Sequence, residues 1–135
     1  MSGENETLIH RYFDEILSKG DFAAADELID PDVVFHPAEI RERNDFLQYI
    51  EVLRTAFPDL NFTVEDEVSD GEKGAGRFTM RGTHQGEFMG IPASNNAVEI
   101  RGVDFFRLEN DRIKEIWVSL DSFGLMQQLG AIASQ

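Results

Sequence analysis

The chain has 135 residues, with 26 acidic against 12 basic side chains, a net charge of −14 and no cysteine. That length suits a single domain over 1–135, large enough to fold without a disulfide or metal. The charge repels phosphates, so no nucleic-acid partner is expected, and the missing thiols exclude disulfides, thiolate metal sites and cysteine nucleophiles.

The chain starts MSGENETL, which is polar and lacks the apolar core of a signal peptide, and no apolar run is long enough to span a bilayer. A cytoplasmic protein with no membrane partner is the expectation. Leu8, Tyr12, Phe13, Ile16 and Leu17 recur at helical spacing and predict a first helix from about Glu4 to Lys19, stopped by Gly20. Asp21 can cap a short second helix, FAAADELI, which Pro31 ends. Val33 to His36 predicts a short strand closed by Pro37. Asn44 can cap a third helix carrying Phe46, Leu47, Ile50, Leu53 and Phe57, stopped by Pro58.

Leu60, Phe62, Val64 and Val68 then alternate as a strand, and Asp66 breaks the alternation. Asp70-Gly71 signals a hairpin turn, and the return strand runs from about Gly74 to His84. The loop that follows carries Phe88, Met89 and Ile91, so it is expected to fold over apolar surface. Val98 to Leu108 reads as a strand, Glu109 to Arg112 as a turn, and Ile113 to Leu120 as the last strand. Asp121 suits the N-cap of a closing helix, SFGLMQQL, ended by Gly130. Helices come first and mostly antiparallel strands after. The fold class is α+β, with a curved sheet wrapped around the N-terminal helices.

Alternating strand residues share a face. Val98, Ile100, Gly102, Asp104, Phe106 and Leu108 form one such face, and Phe78, Met80, Gly82 and His84 another. An acid and an imidazole therefore both point at an apolar interior, where an ionisable group is costly unless paired or solvated. Desolvation would raise the pKa of Asp104 and make it a general base near neutrality. The structural alternative is a carboxylate satisfied by a backbone N–H, by Tyr49 or by an arginine. His84 could donate to a substrate carbonyl or pair with Asp104; alternatively it holds the start of the loop. Phe88 and Met89 would line or lid the pocket, and Tyr49, Phe106 and Val118 complete the candidate ligand contacts. The three histidines are too scattered for a metal site. Val103, Phe105 and Trp117 lie on faces opposite the core, which predicts a homodimer.

The order of elements, together with GTHQGEFMGIP, VDFFRLENDRI, WVSLD and LMQQLG, resembles the SnoaL-like polyketide (ester) cyclase family of the nuclear-transport-factor-like superfamily. The resemblance implies a cone-shaped α+β barrel with a deep apolar pocket. It also implies ring closure by an intramolecular aldol reaction on a small apolar carbonyl compound, by acid/base catalysis without metal or cofactor. His36 matches the segment that holds a pocket asparagine or histidine, and His84 the histidine of a Gly-x-His-x-Gly run. Asp104 stands where one branch has a catalytic histidine. That branch's essential aspartate directly follows the position of Trp117, where this chain has Val118. The alternative to an enzyme is a non-catalytic small-molecule-binding protein on the same fold. Epoxide hydrolysis is disfavoured because Arg101 and Asp104 fall on opposite faces of a regular strand, and a protein-interaction module would use the face around Trp117.

Overall fold

The computed structural model describes residues 7–132. The first helix is capped by the Thr7 hydroxyl, which accepts from the His10 N–H; the expected turn at Glu4 lies outside the described residues. It runs as α1 (Leu8–Arg11) and widens at once into a π-helical segment, Tyr12–Ser18. The Lys19 N–H reaches back to Asp14 O across five residues. Tyr12, Phe13, Ile16 and Leu17 all bury on this segment. Gly20 then takes a positive φ of 68°, the conformation that ends a helix most easily without a Cβ.

A 3-10 turn (Phe22–Ala24) leads into α2 (Ala25–Leu28). The Asp21 side chain makes no capping bond here. Pro31 does not end this helix: β1 (Ile29–His36) has already begun, and the proline sits inside it. An edge strand tolerates proline because one side of its backbone has no ladder to complete. Helix α3 (Arg43–Ala56) starts after Glu42, whose side chain makes no capping bond, so Asn44 lies within its first turn rather than before it. Strands β2 (Asn61–Ser69), β3 (Lys73–Thr83), β4 (Ala97–Glu109) and β5 (Arg112–Leu120) follow, and α4 (Ser122–Gln128) closes the chain. Asp121 caps α4 as its position suggested, accepting from Gly124 N–H at 2.8 Å.

The strands form one sheet in the order β1-β5-β4-β3-β2. Only β1 with β5 is parallel; the other three pairs are antiparallel. The sheet curves but does not close, so the expected barrel is an open cone with β1 and β2 as its edges. Its inner face packs against α1, the π-helical segment and α3 through Phe13, Ile16, Phe46, Ile50, Phe78 and Phe106, all buried. Where Asp66 interrupts the alternation, the β2–β3 register also shifts.

The β3–β4 register runs unbroken through Gly102, which faces Phe78. A Cβ added at Gly102 would stand 2.6 Å from Phe78 Cζ and 2.8 Å from the Ser119 carbonyl oxygen. Gly102→Ala is therefore expected to destabilise by about 1–3 kcal/mol, as overpacking of a tight core does. A lowered urea midpoint would register this; an unchanged one would mean that Phe78 gives way freely.

Candidate active-site cavity

Because β4 alternates without a break, Asp104 points inward as its sequence position required, and it is 3% exposed. It lines a cavity of about 80 Å³ between the sheet and the helices. Tyr12 enters from the π-helical segment, Tyr49 from α3, Val118 from β5 and Phe88 from the loop after β3. Cross-strand neighbours in an antiparallel pair share a face, and Val118 lies directly opposite Asp104. The other described side chains of the wall are apolar, including Phe35, Phe78, Met80 and Leu125. No basic side chain lines the cavity among the described residues.

Surface clefts elsewhere are larger, about 450 Å³ beside Gly71 and Arg107 and about 530 Å³ beside Arg81 and Gln128. Neither carries a buried ionisable side chain. The small cavity carries one, and a perturbed buried acid is the stronger sign of chemistry. Burial pushes the Asp104 carboxyl up to about 8. Its Oδ1 has no hydrogen-bond partner among the described residues. The Tyr12 hydroxyl is pushed well above the usual phenol value by burial, and further by the nearby Asp104 and Tyr49. Tyr49 is raised for the same two reasons, burial first and Asp104 second. Tyr49 is nevertheless 45% exposed, which makes it the mouth of the cavity. A pocket for a drug-sized ligand usually has roughly 300–1,000 Å³, so a larger guest must displace Tyr49 and Phe88.

His84 is fully buried, but it does not line this cavity. Its backbone extends the hairpin, exchanging bonds with Asn95 and Asn96 just beyond Thr83 and Ala97. Asp104 lies opposite Gly76. Eight residues of β4 therefore separate the level of His84 from Asp104, roughly 26 Å of strand at about 3.3 Å per residue. The two groups do not pair. Nδ1 of His84 accepts from the Ser94 N–H at 3.2 Å and lies 2.9 Å from Ser94 Oγ. The ring rests on Phe57 at 5.6 Å, while Nε2 is buried without a partner. It ties down the start of the crossing loop.

Three other expected contacts are not in the cavity. His36 faces outward, because the inward position at the end of β1 belongs to Phe35. Its Nε2 bonds Glu115 at 2.7 Å, Nδ1 meets Glu39 at 3.1 Å, and the ring stacks on Trp117 at 5.3 Å. The bond to Glu115 raises its pKa most; burial opposes it, and the bond to Glu39 adds a lesser upward push. Met89 is 73% exposed at a loop tip, with φ 51°, between the bridged Phe88 and Ile91. Phe106 is on the right face but at the wrong depth; it packs edge-on against Tyr12 and Phe13 at 5.3 and 6.0 Å and plugs the core. Tyr49, Phe88 and Val118 do line the cavity.

Helical spacing alone puts Tyr12 in the core and does not reveal its place in the cavity wall. A signal was present: a hydroxyl on the buried stripe beside Phe13, where phenylalanine would serve packing alone, asks for a polar neighbour. Among the described residues, no group of three histidine and carboxylate side chains is placed to hold a metal ion, and no helix is long and apolar enough to cross a membrane.

A model of the SnoaL-like polyketide cyclase family matches residues 7–129. No curated protein matches the chain. Among solved structures, TsrD from Streptomyces laurentii is 28% identical, with a TM-score of 0.85 over 93% of each chain. IdmH from Streptomyces antibioticus, a candidate polyketide cyclase, is 33% identical, with a TM-score of 0.79 over 91% of this chain and 96% of its own. A candidate SnoaL-like polyketide cyclase from Jannaschia sp. CCS1 shares the fold at 24% identity, with a TM-score of 0.84 over 93% of this chain and 90% of its own.

Proposed function

Since the chain belongs to the SnoaL-like polyketide cyclase family, we propose that it is a cofactor-independent enzyme that moves a proton next to the carbonyl of a small apolar compound, with Asp104 as the acid/base group. The observation that carries this reading is an unpartnered carboxyl oxygen in a carbon-lined cavity. A carboxyl brought up to about 8 can both take and return a proton near neutrality. A cyclase outcome follows if the carbanion meets a second carbonyl of the same molecule. His84, His36, Met89 and Phe106 have no part in this chemistry.

The test requires no knowledge of the natural substrate. A small cyclic enone in deuterated water should exchange its α-protons faster in the presence of the protein, as followed by proton NMR. Failure to exchange, with the enone bound, would leave the second reading, a non-catalytic binder. Val118 favours that reading, because it leaves Asp104 without a second cavity acid beside it.

The partner proposed is a second copy of the chain. Val103, Phe105 and Trp117 remain 40%, 43% and 37% exposed on the outer sheet face, with the Phe105 and Trp117 rings 5.6 Å apart. Exposed apolar patches usually mark contacts. Sedimentation is expected to show a dimer at micromolar concentration and a monomer for Trp117→Arg; a wild-type monomer would refute the interface.

A further inference from the structure

Among the described residues, three polar side chains line the cavity: Asp104, Tyr12 and Tyr49. If Asp104 takes a proton from carbon, the electron pair of that C–H bond moves toward the carbonyl, and negative charge collects on its oxygen. Something must hold that oxygen, because developing charge in a dry site is costly without donors. His84 is a different level of the sheet away, and Val118 has no proton to share. We propose that the hydroxyls of Tyr12 and Tyr49 are the donors that hold the substrate oxygen while Asp104 works on the adjacent carbon, so that the cavity takes neutral ketones or enones rather than carboxylates or phosphates. The proposal rests on the acid/base reading of Asp104.

Tyr12 is built for such a role. Its ring is held by Phe13 at 5.0 Å, Phe46 at 6.1 Å and Phe106 at 5.3 Å, in edge, stacked and edge geometries. A donor fixed in advance needs no reorganisation as charge forms. A π-helical turn supplies the residue, and such turns recur at functional sites. Tyr49, packed on Phe35 at 5.2 Å and half-exposed, offers its hydroxyl from the mouth. Burial and the neighbouring carboxyl keep both phenols protonated, so both remain donors throughout. The wall offers no cation to an anionic guest, and an unpaired buried anion is strongly disfavoured. The proton balance is closed: the α-proton passes to the Asp104 carboxylate, the oxyanion accepts hydrogen bonds from phenols that keep their protons, and Asp104 returns its proton to carbon.

The probe is cyclohexenone, carbon-13-labelled at the carbonyl, bound to the intact protein and read by its infrared C=O stretch. Hydrogen-bond donors lower that frequency. The wild-type complex should show a stretch well below the value in an apolar solvent. Tyr12→Phe keeps the packed ring and should move the stretch most of the way back; Tyr49→Phe, at the half-exposed mouth, should move it part of the way without risk to folding. An apolar-solvent frequency in the wild type, an unchanged stretch in both variants, or no binding of the ketone would each overturn the proposal. A lowered stretch without α-proton exchange would leave the donor pair standing and sink the catalytic reading of Asp104. Exchange without a lowered stretch would do the reverse.

Discussion

Asp104→Asn is expected to slow α-proton exchange in a bound enone by a factor on the order of 10²–10⁴, the usual worth of a positioned general base. Asparagine keeps the size of the side chain and some hydrogen bonding but has no basic oxygen, so affinity for the ketone should change little. Asp121→Asn is the control. Asp121 caps α4 by accepting from Gly124 N–H, and asparagine caps helices about as well as aspartate. Equal large losses from both variants would place the active carboxylate elsewhere. The wild-type rate should also rise with pH through about 8, where Asp104 becomes a carboxylate, and the asparagine variant should be flat over that range. A rate that falls through the same range would make Asp104 a proton donor in the limiting step.

The second large effect is on folding. Burial raises the Asp104 carboxyl from 3.8 to about 8, so between those values the folded chain holds a proton that the unfolded chain has released. Stability contributed by this group is therefore present below about pH 4 and declines as pH rises, levelling above about 8. The accumulated loss is on the order of 6 kcal/mol, about 1.4 kcal/mol for each pH step from 3.8 to about 8. Many other carboxylates titrate in an acidic chain, so the measurement is a difference. Unfolding free energies of wild type and Asp104→Asn, by urea at a series of pH values, should diverge in favour of the variant as pH rises. A constant gap would show that the carboxyl is solvated in the folded chain.

The inward facing of Asp104 was legible because β4 alternates from Ala97 to Phe106, with an unbroken register to β3 as far as Arg107. Period two reveals a face and nothing about depth along it. Phe106 and His84 both share the inner side with Asp104, yet one plugs the floor of the core and the other anchors a loop at the far end. His36 failed on parity: one step of strand separates it from Phe35, which takes the cavity, and the buried Val33 and Phe35 share a face that His36 does not. Met89 failed because a left-handed tip between Phe88 and Ile91 turns its side chain out; methionine gives no sign of such a turn. Asp21 does stand at the N-cap position, but its side chain makes no capping bond; α3 starts at Arg43, one residue before Asn44, because capping preference does not fix a helix start to the residue.

An open cone has a consequence for how copies of the chain behave when crowded. Each margin of the sheet lacks a neighbouring strand, and only part of it is covered: Phe35 on β1 bridges Ile40, and Ser18 bonds the backbone of Phe62 on β2; the remainder is where another strand could add. On β1 the margin carries Pro31, which withholds one donor and resists a new ladder. On β2 it carries Glu65, Asp66 and Glu67 at the register shift, so an incoming copy would bring like charge against like charge. The run that interrupts the apolar rhythm of Phe62 and Val64 thus places charge on the edge, the feature that disfavours edge-to-edge pairing.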